Sequence, residues 1–475
     1  MTRSPMLRLS VILALLAGFA LSPKLWLSSR TYPLTPVWQF LRPLSSPADH
    51  IVFYALAAAL IVLSFAPRRA TFTAAFALLA LVALQDQSRW QPWFYQYVVM
   101  LLAIALAGAG RQAAARNTCC LIVAATYIWS GLAKLNPNFM SDAFPSLVDP
   151  LIKTWPTAAQ WPVGHLGYLA PFLECGLGAG LITRRFRPAA LFFAIAMHAF
   201  ILITIGPLGR RYNSVVWPWN LAMMAFLLIL FRRTEDPAPQ DILWGREFAY
   251  QKVVLVLFAI MPALSFFNLW DDYLSSALYS GNKTSAVIYV SDAALDRLPE
   301  QIADYVTEGA PDRNELDIND WSFGEMNVPS YPAPRIYKNV ARQVCRYAPD
   351  GAGVELVVEG KFALANGNRR SVYHCADLLP LVPPSAFPGR AESVLRAFRD
   401  ALGLEARGGT GFEHDQARLV PRMADDTGFR QRDGIARQGH IAELLVFVIQ
   451  LRVFEAAMQT APLHARGEVA PLGTD

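Results

Sequence analysis

Over the first 270 positions, apolar residues come in long blocks broken by short stretches that carry arginine, proline and tryptophan. A helix rises about 1.5 Å per residue, so about 20 apolar residues cross about 30 Å of hydrocarbon. Nine blocks approach that length: 8–27, 49–66, 70–85, 93–110, 117–134, 165–183, 188–207, 214–231 and 249–268. The pattern predicts an α-helical polytopic membrane bundle of about nine transmembrane helices over residues 1–270. The first block also has the features of a signal peptide. Arg3 and Arg8 precede a short apolar core, and Gly18-Phe19-Ala20 forms a cleavage-like site.

After residue 270 the period shortens. "SAVIYVS" (285–291), "VELVVEG" (354–360) and "RRSVYHC" (369–375) are short valine- and tyrosine-rich runs, and "NGN" (366–368) between the last two predicts a hairpin turn. "APRIYKNVARQVCRY" opens after a proline and repeats Ile336, Val340 and Val344 four apart, which predicts a helix with one apolar face. A small α+β domain is expected over 271–387. Residues 388–475 are rich in arginine, alanine and glycine without a core-forming period, and a low-order tail is expected there. Within it, 442–458 is the one helical stretch.

Charge sets the expected orientation. Arg3, Arg8, Arg68, Arg69, Arg111, Arg116, Arg184, Arg185, Arg187, Arg232, Arg233 and Arg246 fall on one side of the blocks. Lys24, Arg30, Arg42, Arg89, Lys153, Arg210 and Arg211 fall on the other. The positive-inside rule puts the richer side in the cytoplasm and everything after residue 270 outside the cytoplasm. With 54% hydrophobic and 17% charged residues, the formal charge of +5 reflects topology rather than nucleic-acid binding. The lipid bilayer is the expected surrounding. Five cysteines without CxxC or zinc-ligand spacing indicate no metal. Cys345 and Cys375, both outside, are a candidate disulfide.

Ionisable groups in or beside the blocks are the candidate chemistry, because they are costly there. Lys134 shares a helical face with Tyr127, Ser130 and Gly131. It reads either as a lysine reaching for the interface or as a proton-accepting amine in a dry pocket. Glu174 and His198 lie at similar depths, about 15 Å from the inner surface, on antiparallel helices joined by "RRFR". They form either a helix-joining hydrogen bond or one wall of a pocket. In "LQDQSRWQPWFYQY" (84–97), Asp86, Arg89 and Gln91 precede Pro92. Asp86 and Arg89 read as an interfacial ion pair, and Trp90, Trp93 and Tyr95 as an interfacial aromatic belt. "GLGAG" (176–180) follows no strand and predicts close helix packing.

"YIWSGLAKLNPNFM" (127–140) resembles the Y-x-x-x-G-[LV]-x-K-[LV]-[ND] stretch of vitamin K-dependent γ-carboxylases and their bacterial relatives, the HTTM membrane proteins. "HLGYLAPFLECGLGAGL" (165–181) and "AALFFAIAMHAFILITIGPLG" (189–209) resemble that family's next two helices. The likeness covers about 85–230. It implies a catalytic role for Lys134, whose amine in the carboxylases deprotonates a reduced quinone. Oxygen then adds, and the strong base so formed takes a γ-proton from glutamate before carbon dioxide attacks. It also implies that His198 lies near the same cavity, which makes it the second catalytic candidate. Glu174, Asp86, Arg89, Gln91 and Tyr127 are the expected lining residues. The family's histidine on the segment matching "RWQPWFYQY" is absent, and no large glutamate-peptide-binding domain follows.

The resemblance implies a quinone-linked carboxylase-like enzyme or oxidoreductase in a bacterial inner membrane. The missing histidine and short outer region favour a non-catalytic membrane module whose outer domain binds a protein or peptide partner. A quinone-linked thiol-redox protein of the DoxX or MauE kind is a third reading, and its outer CxxC is lacking.

Overall fold

A computed structural model describes residues 3–378, apart from 39, 155–164, 233–236, 246 and 362–369. The expected tail, with its 442–458 stretch, and the NGN turn lie outside the described residues. Eight apolar helices form the first part: α1 (Arg3–Leu21), α2 (Ala48–Phe65), α3 (Arg69–Gln85), α4 (Pro92–Ala107), α5 (Gln112–Ala133), α6 (Leu166–Ile182), α7 (Arg187–Ile205) and α8 (Val216–Phe231). A ninth segment, Ala249–Phe267, begins as the helix α9 (Ala249–Val254). It widens over Leu255–Ile260 and tightens over Met261–Phe267, where Pro262 has no N–H to continue the α-helical ladder.

The expectation of nine spans exceeds what these lengths support. Ser4–Leu21 within α1, then α2, α7 and Ala249–Phe267 are long and apolar enough to cross a membrane. The helices α3, α4, α6 and α8 are apolar but shorter, at 16 or 17 residues. The longest helix, α5, is buried from Thr118 to Tyr127 and lies at the centre of the bundle. By contrast α7 exposes Phe192, Phe193 and Ile203, and α6 exposes Leu169, Phe172 and Leu173. Apolar faces of that extent suit lipid better than water.

Glycines set the closest helix contact. A Cβ on Gly178 would fall 2.6 Å from the Ala124 carbonyl oxygen, and one on Gly131 would fall 2.6 Å from that of Pro171. The "GLGAG" stretch thus lets α6 press its backbone against α5, as small residues do between membrane helices.

The region after residue 270, named the outer region for the side on which the sequence places it, contains a five-stranded antiparallel sheet in the order β2-β3-β1-β4-β5. The strands are β1 (Ser285–Val290), β2 (Val306–Ala310), β3 (Arg313–Asp317), β4 (Val354–Glu359) and β5 (Arg370–His374). Alternation buries Ala286, Ile288 and Val290 on one face of β1, and Ile288 lies opposite both Leu316 and Leu356. Between β3 and β4 come α10 (Ile318–Met326) and α11 (Pro334–Val344). Ile336, Val340 and Val344 are all buried, and α11 packs on β4. Cys345 and Cys375 form a disulfide with Cα atoms 5.6 Å apart.

Two adjacent carboxylates tie the last apolar segment to this sheet. Asp271 accepts from Arg335 Nη1 at 2.8 Å and from the Tyr331 hydroxyl at 2.7 Å, with a second contact to Arg335. Asp272 pairs with Lys361. Burial pushes the Asp271 carboxyl up, but the Arg335 guanidinium outweighs it and holds it below the ordinary range. For Asp272 burial wins over Lys361, and the carboxyl is raised.

Candidate functional site

Lys134 caps the C-terminal end of α5, yet it does not reach for an interface. It is 7% exposed, and its ammonium lies 2.8 Å from Glu174 Oε2 on α6. The same nitrogen donates to Ser130 Oγ at 2.6 Å and to the Ser130 carbonyl at 3.3 Å. An ammonium has three hydrogens, and all three have acceptors here. The glycine contacts between α5 and α6 explain how two side chains of this length meet inside the bundle.

The expected Glu174–His198 bond is not formed. One turn-pair down α5, the Tyr127 hydroxyl lies 2.6 Å from His198 Nε2 on α7, and His198 Nδ1 lies 2.7 Å from Asn220 Oδ1 on α8. Asn220 Nδ2 donates to the Val216 carbonyl at 2.8 Å, which turns the amide oxygen toward the ring. His198 Nδ1 must then carry the hydrogen, and Nε2 accepts from Tyr127. The reason for the changed partner is reach. Equal depth on neighbouring helices did not specify which faces meet, and Glu174 turns to α5 instead. Glu174 remains within electrostatic reach of both Tyr127 and His198. Four helices thus converge on one line of polar groups, Lys134–Glu174 and Tyr127–His198–Asn220. Asn220 was missed in the sequence, although "WPWNLAMM" offered a signal as the one amide in an apolar block.

Asp86, Arg89 and Gln91 form a separate cluster. Asp86 pairs with Arg30, not with Arg89 as the sequence suggested. It also accepts from Thr35 Oγ1 at 2.8 Å, Thr35 N at 3.2 Å and Ser88 N at 3.0 Å. Burial raises its carboxyl, but the charges of Arg30 and Arg89 prevail and hold it below the ordinary value. Arg89 instead donates to the carbonyls of Leu25, Val82 and Trp26 at 2.8–3.0 Å. Leu25 and Trp26 lie on the chain arriving from α1 and Val82 near the end of α3, so the guanidinium fork ties the two together. Gln91 donates to Ser88 O at 2.9 Å and to Pro329 O at 3.3 Å. The aromatic belt is also corrected, since Trp93 and Tyr95 are buried in the bundle. This segment rivets the first loop to the outer region and does not line the Lys134 site.

Beyond Lys134 the chain turns sharply under the outer region. Asn136 donates to the carbonyls of Ala133 and Ser280, each at 2.8 Å, and accepts from Phe139 N at 2.9 Å. Gly281 rests on this turn at φ +70°, where a Cβ would fall 2.7 Å from Phe139 N. Only glycine suits that backbone and that distance.

No group of three or more metal-ligating side chains occurs among the described residues. No protein-family model, curated protein or solved structure matches this chain.

Proposed function

We propose that this chain is an integral membrane protein of the γ-carboxylase and HTTM kind, whose Lys134–Glu174 pair handles protons for a reaction at the outer side of a bacterial inner membrane. The full nine-segment bundle, with residues after 270 outside, belongs to this reading. One observation carries it: Lys134 is buried against Glu174, in one line of polar groups with Tyr127 and His198 that draws on three helices. Ionisable side chains at such depth are costly and are kept where they act.

The implied reduced quinone needs a free lone pair on the Lys134 amine to take its hydroxyl proton. Lys134 is instead enclosed by Glu174 and Ser130, with an acceptor for every ammonium hydrogen. The residues present do not fit a quinone at that nitrogen. What the pair itself can do is simpler. With the proton on lysine it is an ion pair, and with the proton on Glu174 it is two neutral groups. Moving that proton changes the charges without changing the sum.

The same saturation favours a second reading, a non-catalytic module in which the pair locks α5 to α6. Infrared difference spectroscopy on the full chain in detergent separates the two. Proton handling predicts a protonated-carboxyl band in the wild type that disappears in Glu174→Gln. It also predicts that Lys134→Arg removes the band while the protein stays folded, because arginine does not release its proton there. A wild-type spectrum with carboxylate signal alone decides for the lock.

A further inference from the structure

A cleft of about 290 Å³ opens where the loop between α1 and α2 meets the outer region. One wall is the end of α11 and the turn after it. Gln343, Arg346 and Tyr347 stand three and four residues apart there, so they share one face. None of these three side chains has a hydrogen bond or ion pair to another described residue. Arg346 is exposed, and the cleft lining contains no aspartate or glutamate. The disulfide at Cys345 fixes this wall to the end of β5. The other wall is Pro33 and Leu34, and Ile302 and Trp321 form an apolar floor. Trp321 cannot turn to serve a ligand's polar end, since its indole N–H already donates to Thr31 Oγ1 at 2.9 Å.

We infer that this cleft binds a small organic acid, with a flat apolar body on the floor and one carboxylate on Arg346. The volume lies at the lower limit of small-molecule sites. Three idle polar groups on one wall, of which Arg346 and Gln343 are donors in any state, suit an anion. Apart from Thr31, whose hydroxyl is engaged with Glu325, the remaining lining is apolar, which suits a ring and not a second charge. An arginine fork matches a carboxylate in two parallel bonds, and Gln343 and Tyr347 lie on the same face to complete the set. The inference stands independently of the Lys134 site, because the cleft is built by different residues.

The test uses 2-naphthoate and its neutral analogue 2-naphthamide, titrated against the full chain in detergent by ligand-observed NMR. The carboxylate should bind at least about tenfold more tightly than the amide, as a charge-assisted pair requires. Arg346→Gln, a change at an exposed position, should bring the two to equal affinity. Ile302→Trp should fill the floor and remove both. Equal binding of acid and amide by the wild type overturns the inference, and so does a preference that survives Arg346→Gln. Binding that survives Ile302→Trp places the probe in the detergent or elsewhere on the bundle, which also overturns it.

Discussion

Lys134 and Glu174 share a buried ion pair at 2.8 Å, between two helices whose glycines bring the backbones into contact. The attraction of such a pair is largely spent on removing both charges from water, but an unpaired survivor has nothing to offset that cost.

Breaking the pair from one side should therefore be worse than removing it. Lys134→Met and Glu174→Gln should each lower stability in detergent, by about 3 kcal/mol for the lysine change. The double variant should recover part of the loss. Thermal unfolding of the four proteins as a cycle measures this, and additive losses would mean that the two side chains do not interact.

The Tyr127–His198–Asn220 chain should weaken at whichever link leaves a hydrogen without a partner. Asn220→Ala removes the acceptor of His198 Nδ1–H and should cost about 1–3 kcal/mol. Tyr127→Phe leaves only a ring nitrogen without its donor and should cost less. The reverse order in unfolding measurements would show that the hydrogen sits on Nε2.

Asp271 predicts a pH dependence of known sign. Its carboxyl is held below the ordinary value in the folded chain, so the stability it contributes is present above the unfolded value. That stability is lost as pH falls through the folded one. Asp272 is raised and acts oppositely, favouring the fold in acid and losing that contribution as pH rises. Asp271→Asn should lower stability at neutral pH by about 3 kcal/mol, because the Arg335 guanidinium loses the Asp271 charge. It should also flatten the acid limb of the stability curve. An unchanged limb would assign acid sensitivity to other carboxylates.

The Cys345–Cys375 bridge closes a loop with a sequence separation of 30, for which chain entropy gives about 3–4 kcal/mol. Replacing both cysteines by serine should lower the unfolding temperature of the outer region by a matching amount. Reductant should then have no further effect. A double-serine protein as stable as the wild type would show that the sheet and α11 suffice.

The sequence disclosed elements more readily than partners. Blocks of apolar residues marked the helices because each needs only its own composition, and the strand runs at 285–291, 354–360 and 369–375 marked β1, β4 and β5. The strands β2 and β3 were not visible. "VTEGA" lies mostly exposed at the sheet edge and "RNELD" carries three charges, so neither shows an apolar run. The polar residues of the bundle were legible as anomalies, but their pairing was not. Rotation about a helix axis decides whether Glu174 faces Lys134 or His198, and helices apolar on nearly every face carry little record of that rotation. Asp86 met Arg30 across 56 positions, a contact between two connecting segments that local spacing does not record.

The bond from Asn136 to the Ser280 carbonyl and the packing of Gly281 on Phe139 join the outer region to the turn beside Lys134. From the aqueous side, the backbone of 280–281 stands over the turn that follows the lysine, like a stopper seated in a neck. Deleting the chain from residue 280 onward is thus no neutral trimming of an appendage. It uncorks the lysine, and a change in proton exchange at Glu174 after such a deletion reports the lost stopper before it reports any lost partner.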